Sequence, residues 1–386
     1  MMHILIISSA PYQFSESPLL GVFQKDQLEA LTAQGLNVGI LSPAGRSLRY
    51  LKAYFSNQPL SRPPKQCLRN TWFDIFPRTR RIQRVMFNWM GLRQYREYVK
   101  QFGKPDLIHA HNALNAGCLA RLIESKYQQP YVITEHSSWI ARDIYDAKTK
   151  KLISHVYQEA KSVICVSQYL KKRLHDVYID KDVTVIPNIV DPIFTQKYEL
   201  SSGSPKNTVQ LITVASLDDN KNQQLLIRAV AALLKQHIQV HLTIVGQGPN
   251  EFVLKALVDE LSLAEFVTFT GSVSRDNVRK LMLESDILCI SSYVETFGVV
   301  AIEANALGLP VITTPCGGPE DIITQVNSGL LLPDMSLDTY VSGLRRLISE
   351  LSEHDRVALT KYALSQYSAS SVATSLHKIY ANIDTL

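Results

Sequence analysis

Glu295-Thr296-Phe297-Gly298-Val299-Val300-Ala301-Ile302-Glu303 sets two carboxylates around a tight turn. The stretch before it, Asp286-Ile287-Leu288-Cys289-Ile290, reads as a buried parallel strand, and Val299, Val300 and Ile302 start a helix after it. Strand, turn and helix in that order make one unit of an α/β sheet. The free backbone N–H groups of the helix start point into the turn, which favours a phosphate there. Glu295 falls in the loop, whereas Glu303 lies more than a turn into the helix. The two carboxylates are displaced along one ligand and share no proton, so each can grip a different set of hydroxyls.

The pattern continues outward through Glu303-Ala304-Asn305-Ala306-Leu307-Gly308-Leu309-Pro310, Thr313-Thr314-Pro315-Cys316-Gly317-Gly318-Pro319-Glu320-Asp321 and Ser328-Gly329-Leu330-Leu331-Leu332-Pro333. Glu295, seven residues and Glu303, with Phe297-Gly298 between them and these segments after, resemble the signature of retaining glycosyltransferases of family 4 (glycosyl transferases group 1). The resemblance covers nearly the whole chain. It implies an α/β protein of the GT-B fold, two Rossmann-like parallel-sheet domains facing a cleft. It also implies transfer of a sugar from a nucleoside-diphosphate sugar, with retention of configuration, no metal and no separate cofactor.

Length and composition agree. A chain of 386 residues exceeds what one hydrophobic core usually organises, so two domains are expected. With 46% hydrophobic and 19% charged residues the composition is that of an ordinary globular protein, and no apolar run reaches the ~18 residues of a spanning helix. Met1-Met2-His3-Ile4-Leu5-Ile6-Ile7-Ser8-Ser9 lacks a basic n-region and runs into Pro11, so it reads as a first strand and not a signal peptide. Cys67, Cys118, Cys165, Cys289 and Cys316 show no CxxC spacing and read as reduced thiols of a cytoplasmic protein and not as zinc ligands.

Strand-like runs at 3–9, 37–42, 106–111, 131–134, 162–166 and 183–186 alternate with amphipathic stretches, as in a parallel sheet covered by helices. Pro187-Asn188-Ile189-Val190-Asp191-Pro192 breaks the pattern and Ser201-Ser202-Gly203-Ser204-Pro205-Lys206-Asn207 reads as a polar linker. A second set follows at 209–214, 240–245, 266–269, 286–290 and 310–314. The expected domains are 1–190, joined by a C-terminal helix at 367–386 that in the resembled family crosses back, and 205–366 for the donor. Open parallel sheets bind ligands at their carboxyl strand ends.

Several residues there suit a donor. Gly21 closes the long Pro/Ser-rich loop after the first strand; a glycine there lets backbone approach a phosphate, or serves as an ordinary turn, and the resemblance assigns it to the donor pyrophosphate. In Ala215-Ser216-Leu217-Asp218-Asp219-Asn220-Lys221-Asn222 the resembled family often carries Arg and Lys five residues apart, both on the diphosphate. Here Lys221 is kept but Ser216 stands at the arginine position, and a hydroxyl cannot replace a bidentate guanidinium. The amides near Thr296, Phe297, Gly298 and Val299 add donors for the phosphates. Backbone around Gly271-Ser272-Val273 is placed to hold the base, leaving uridine, guanosine and adenosine all open.

Tyr131-Val132-Ile133-Thr134-Glu135-His136-Ser137-Ser138 ends a strand in a histidine and resembles the family segment whose histidine approaches the donor sugar. The bland alternative is a helix cap by Ser137 or Ser138 with His136 merely packing. His109 and His111 share one face of their strand and read as packing or cleft lining, not metal ligands. The resemblance thus implies Glu295 on sugar hydroxyls, Glu303 on the ribose, and His136 and Lys221 beside Glu295 as the catalytic set.

Residues 46–104 carry 14 Lys/Arg against two acids, a net +12 in a chain of only +5. Trp72, Phe73, Phe76, Phe87, Trp89 and Tyr95 interleave with these cations, a pattern suited to an anionic membrane. The expected acceptor is a glycan or lipid-linked molecule, met by a peripheral enzyme at the cytoplasmic face of an inner membrane; nucleic acid is not expected as a partner. A dinucleotide oxidoreductase is excluded by the missing GxGxxG after the first strand and by Pro249 in Gly246-Gln247-Gly248-Pro249. A catalytically inactive binding protein of the same fold is the remaining rival, because of Ser216.

Overall fold

The computed structural model describes residues 2–10, 21–44, 46–47, 66–69, 73–74, 80–196, 208–323 and 328–383. They form two units, Met1–Ile189 with Ala369–Leu386, and Val190–Ser368. The polar segment 201–207, the loop residues 11–20 and most of the basic block between 48 and 79 lie outside the described residues.

In the first unit β-branched and aliphatic runs form β1 (His3–Ile7), β2 (Asn37–Ser42), β3 (Cys67–Arg69), β4 (Leu107–His111), β5 (Tyr131–Glu135), β6 (Ser162–Cys165) and β7 (Val183–Val185). They pair in the order β3-β2-β1-β4-β5-β6-β7, every pair parallel. In the second unit β8 (Val209–Val214), β9 (Val240–Val245), β10 (Val267–Gly271), β11 (Ile287–Ile290), β12 (Val311–Thr313) and β13 (Gly329–Leu331) pair as β10-β9-β8-β11-β12-β13, again all parallel. Each order reverses direction once, between β1 and β4 and between β8 and β11. That switch point, at the carboxyl ends of the strands, is where a doubly wound sheet opens a crevice.

Helices cover each sheet through apolar stripes. Leu226, Ile227, Val230 and Leu233 of Gln223–Lys235 pack on Leu242, Ile244 and Ile287 in the core of the second unit. In the first, Leu28 and Leu31 of Val22–Ala33 join Ile4, Ile6 and Ile40, and Val372, Leu376 and Tyr380 of the last helix, Ala369–Ile383, complete that core. This last helix is separated by Ser368, in an extended conformation, from the helix Arg356–Tyr367 of the second unit.

Three short pieces escape the sequence reading: β3, β13 and a two-stranded pairing of Arg46–Ser47 with Phe73–Asp74. One expectation about the basic block needs correcting. Phe87 and Tyr95, counted among its membrane-suited aromatics, are 3% and 2% exposed within the helix Arg80–Phe102 and belong to the core. Trp89 of the same helix is exposed. Among the described residues no helix is long and apolar enough to cross a membrane.

Candidate active site

At the switch point of the second unit the loops following β8 and β11 are laced together. Tyr293 N–H donates to Asn220 O at 2.8 Å, Asn220 Nδ2 to Val294 O at 2.9 Å, and Ser291 Oγ to Lys221 O at 2.7 Å. This lacing brings two residues 74 positions apart into an ion pair, Lys221 Nζ with Glu295 Oε1. Ser292 Oγ donates to the same carboxylate oxygen at 2.7 Å. The two groups expected to hold the diphosphate and the sugar are therefore paired with each other.

The turn itself is fixed by glycine. Gly298 caps the helix Val299–Ala306 in the left-handed region at φ 85°, and an added Cβ would sit 2.6 Å from Pro319 Cγ. The loop is tied to the segment after β12 through Glu295 N–H to Cys316 O at 2.7 Å and Gly318 N–H to Glu295 O at 2.9 Å. Phe297 and Gly298 are buried while Thr296 and Val299 are partly exposed, beside the free amides of the helix start.

Ser216, at the arginine position, is exposed and serves its own turn: its Oγ donates to Asp218 Oδ2 at 2.6 Å, while Asp218 Oδ1 accepts from Asn220 N–H at 3.0 Å. Val273 is half-buried between β10 and the helix Arg275–Leu283.

Glu303 is 2% exposed and carries a partner that sequence reasoning missed. Arg275 grips it with both terminal nitrogens, Nη1 to Oε2 at 3.3 Å and Nη2 to Oε1, and turns its Nε to Asp191 Oδ2 at 3.2 Å. Its guanidinium carbon lies 4.7 Å from the centre of the Phe194 ring. Burial raises the pKa of Glu303 and Arg275 offsets that rise. The sequence signals the need for a cation, since a carboxylate buried on an apolar helix demands one, but not which residue supplies it.

The first unit gathers its own polar set at the ends of β4 and β5. Gly21 caps the helix Val22–Ala33 at φ 72°, a turn role in the left-handed region. Phe23, two residues on, stacks on His136 with centroids 5.1 Å apart. His136 stacks on His111, and His111 Nδ1 lies 3.1 Å from His136 Nε2. His109 is the next ring in the line, its Nε2 2.7 Å from Thr134 Oγ1 and its Nδ1 2.7 Å from the Tyr380 hydroxyl. Ser137 caps the short helix Ser138–Ala141 by accepting from Trp139 N–H. The cap and the packing expected as the bland reading of His136 are thus both present.

Glu135 explains how the His136 loop is held. Fully buried, it accepts from four donors: the N–H groups of Ala113, His136 and Ser137 and the hydroxyl of Tyr157. Burial raises its pKa and these four hydrogen bonds oppose the rise. Burial lowers His136 to about 4 and His109 to about 3, and drives His111 well below its ordinary value, so all three are neutral at pH 7.

Solved structures share this architecture. Sucrose-phosphate synthase from Thermosynechococcus elongatus superposes with a TM-score of 0.80 at 19% identity, covering 100% of both chains. HepE of Anabaena, in complex with UDP, gives a TM-score of 0.75 at 16% identity over 99% of this chain and 100% of that one. The fold is therefore GT-B, two Rossmann-like parallel-sheet units. The family profile described as Glycosyltransferase Family 4 matches residues 21–194 and that described as Glycosyl transferases group 1 matches residues 195–365; the chain belongs to this glycosyltransferase family. The gpi3 subunit of phosphatidylinositol N-acetylglucosaminyltransferase from Schizosaccharomyces pombe is 27% identical over 284 residues, which span 72% of this chain and 61% of that relative.

Proposed function

We propose that this glycosyltransferase is a retaining, metal-independent enzyme that moves a sugar from a nucleoside-diphosphate sugar to a glycan or lipid-linked acceptor in the synthesis of cell-surface polysaccharide. The observation that carries the reading is the Lys221–Glu295 pair at the switch point, a cation and a carboxylate held ready beside free helix amides. Donor binding exchanges that pair for two better partners: the diphosphate takes Lys221 and the sugar hydroxyls take Glu295. The bond from the anomeric carbon to the diphosphate oxygen then breaks through an oxocarbenium-like state. The acceptor hydroxyl adds to the same face and its proton passes to the departing phosphate. Lys221, Gly21 backbone and the amides of Thr296 to Val299 stabilise the leaving anion by preorganised charge. His136 donates to a sugar hydroxyl, Glu303 holds the ribose, and backbone at Val273 holds the base. The acceptor is met at the cytoplasmic face of a membrane through the basic segment 46–104.

The test is a thermal shift of the full chain with UDP, GDP and ADP, with and without EDTA, beside Glu303→Ala. Ligand at ~100 times its dissociation constant adds ~2.7 kcal/mol. A nucleotide-selective shift, insensitive to EDTA and lost in the variant, supports the reading. A donor-binding protein without turnover is the second reading, favoured by the engagement of Ser216 with Asp218. Product formation from the matching sugar nucleotide, with the anomeric configuration read by NMR, decides between them.

A further inference from the structure

We infer that Arg275 is a positioning residue for the donor nucleotide, holding the Glu303 carboxylate ionised and aimed so that both its oxygens accept hydrogen bonds from a ribose diol. The inference rests on the reading of Glu303 as the ribose ligand. Its own footing is the geometry around Arg275. The guanidinium lies between two carboxylates, Glu303 and Asp191, and over the ring of Phe194. Both Glu303 oxygens are engaged by separate nitrogens, which fixes the plane of the carboxylate as a single contact would not.

The need for such a cation follows from the surroundings of Glu303. Its helix is apolar, with Ala301, Ile302, Ala304 and Ala306 all buried. Asp191 adds a second negative charge, which disfavours ionisation further. Arg275 and Asp191 are the charges that act on Glu303, while Glu320 accepts from Gly317 N–H and Arg356 Nε donates to Gly308 O. Without Arg275 the buried carboxyl would take up a proton. A protonated acid keeps one good acceptor and gains a donor, and it no longer matches two hydroxyl donors. Lys221 and Ser216 have no part in this device, so it governs the ribose and not the diphosphate.

The experiment is calorimetric titration of the full chain, and of its Arg275→Gln and Arg275→Lys variants, with UDP, GDP and ADP and the 2′-deoxy counterpart of each, between about pH 5.5 and pH 8.5. For the nucleotide that binds, Arg275→Gln is expected to lose ~10-fold or more in affinity at about pH 6 and to regain most of it at about pH 8.5, while affinity for the 2′-deoxy counterpart, which keeps one of the two hydroxyl donors, changes less across the range. Arg275→Lys keeps a charge without the bidentate grip and falls between, so it carries the test should the glutamine variant not fold. A ribonucleotide pH profile superposable on that of the parent overturns the inference. So does an equal loss for ribo- and deoxyribonucleotide at every pH, which would mark a purely structural residue. If the parent binds none of the nucleotides, the reading of the site itself fails and the inference falls with it.

Discussion

The imidazoles of His111 and His136 lie 3° from parallel with centroids 5.2 Å apart, joined by one hydrogen bond between His111 Nδ1 and His136 Nε2. One nitrogen of that bond must donate and the other accept, so a proton added to the accepting one breaks it. In the unfolded chain these histidines, with His109, titrate near 6.5; folded, they titrate lower because burial disfavours the cation. Between the two values the unfolded chain binds more protons, so stability rises with pH there. It is complete above about pH 6.5 and is lost as pH falls toward the folded values, by up to ~1.4 kcal/mol per pH unit for each histidine. Urea midpoints measured from about pH 7.5 to about pH 4.5 check this. His109→Gln should show a shallower slope than the parent, and an equal slope would count against the account.

The two glutamates should fail differently. Glu303→Gln loses nucleotide affinity by ~10-fold or more, because a buried bidentate acceptor is gone. Glu295→Gln is expected to keep nucleotide affinity but to lose turnover by ~10²-fold or more, since we propose that it positions the transferred group. Titration with UDP, GDP and ADP beside initial rates separates the two, and undiminished turnover in Glu295→Gln would remove that residue from the mechanism.

Gly298→Ala combines a left-handed backbone with a Cβ 2.6 Å from Pro319 Cγ, and should cost about 2–4 kcal/mol. Gly318→Ala should be worse, because its Cβ would meet the Phe297 Cα at 2.3 Å and backbone cannot step aside. Chemical denaturation of both variants, with nucleotide binding as a second readout, tests the order of the two effects.

Ile82, Val85 and Trp89, at 42%, 65% and 57% exposure, fall on one face of the helix Arg80–Phe102 among basic residues. If this face meets the membrane, the protein floats with anionic vesicles and not with zwitterionic ones, binding weakens with salt, and Trp89→Ala reduces it. Equal flotation with both vesicle types would end the membrane reading.

The sheets were legible in the sequence because parallel strands buried on both faces read as unbroken apolar runs: 37–42, 209–214 and 240–245 coincide with β2, β8 and β9. The loops carrying Ser216, Lys221 and Glu295 followed from those strand ends. β13 did not, since three residues beginning at Gly329 hold no periodicity; it is defined by its pairing with Val311–Thr313. Arg275 was invisible for another reason. Its partners Glu303 and Asp191 lie 28 and 84 residues away, and no local pattern encodes an ion pair at such separations. Phe87 and Tyr95 show the converse, aromatics that look like a surface pattern in the sequence but pack inward on the helix.

The last helix, Ala369–Ile383, supplies Val372, Ala373, Leu376 and Tyr380 to a core whose other buried members all precede residue 190. The core of the first unit is therefore complete only once the chain beyond Val190–Ser368 has been made. Until then His109 lacks the Tyr380 phenol beside its Nδ1. The second unit is continuous in the chain, so the unit whose first residues are made earliest is the one whose core is completed last.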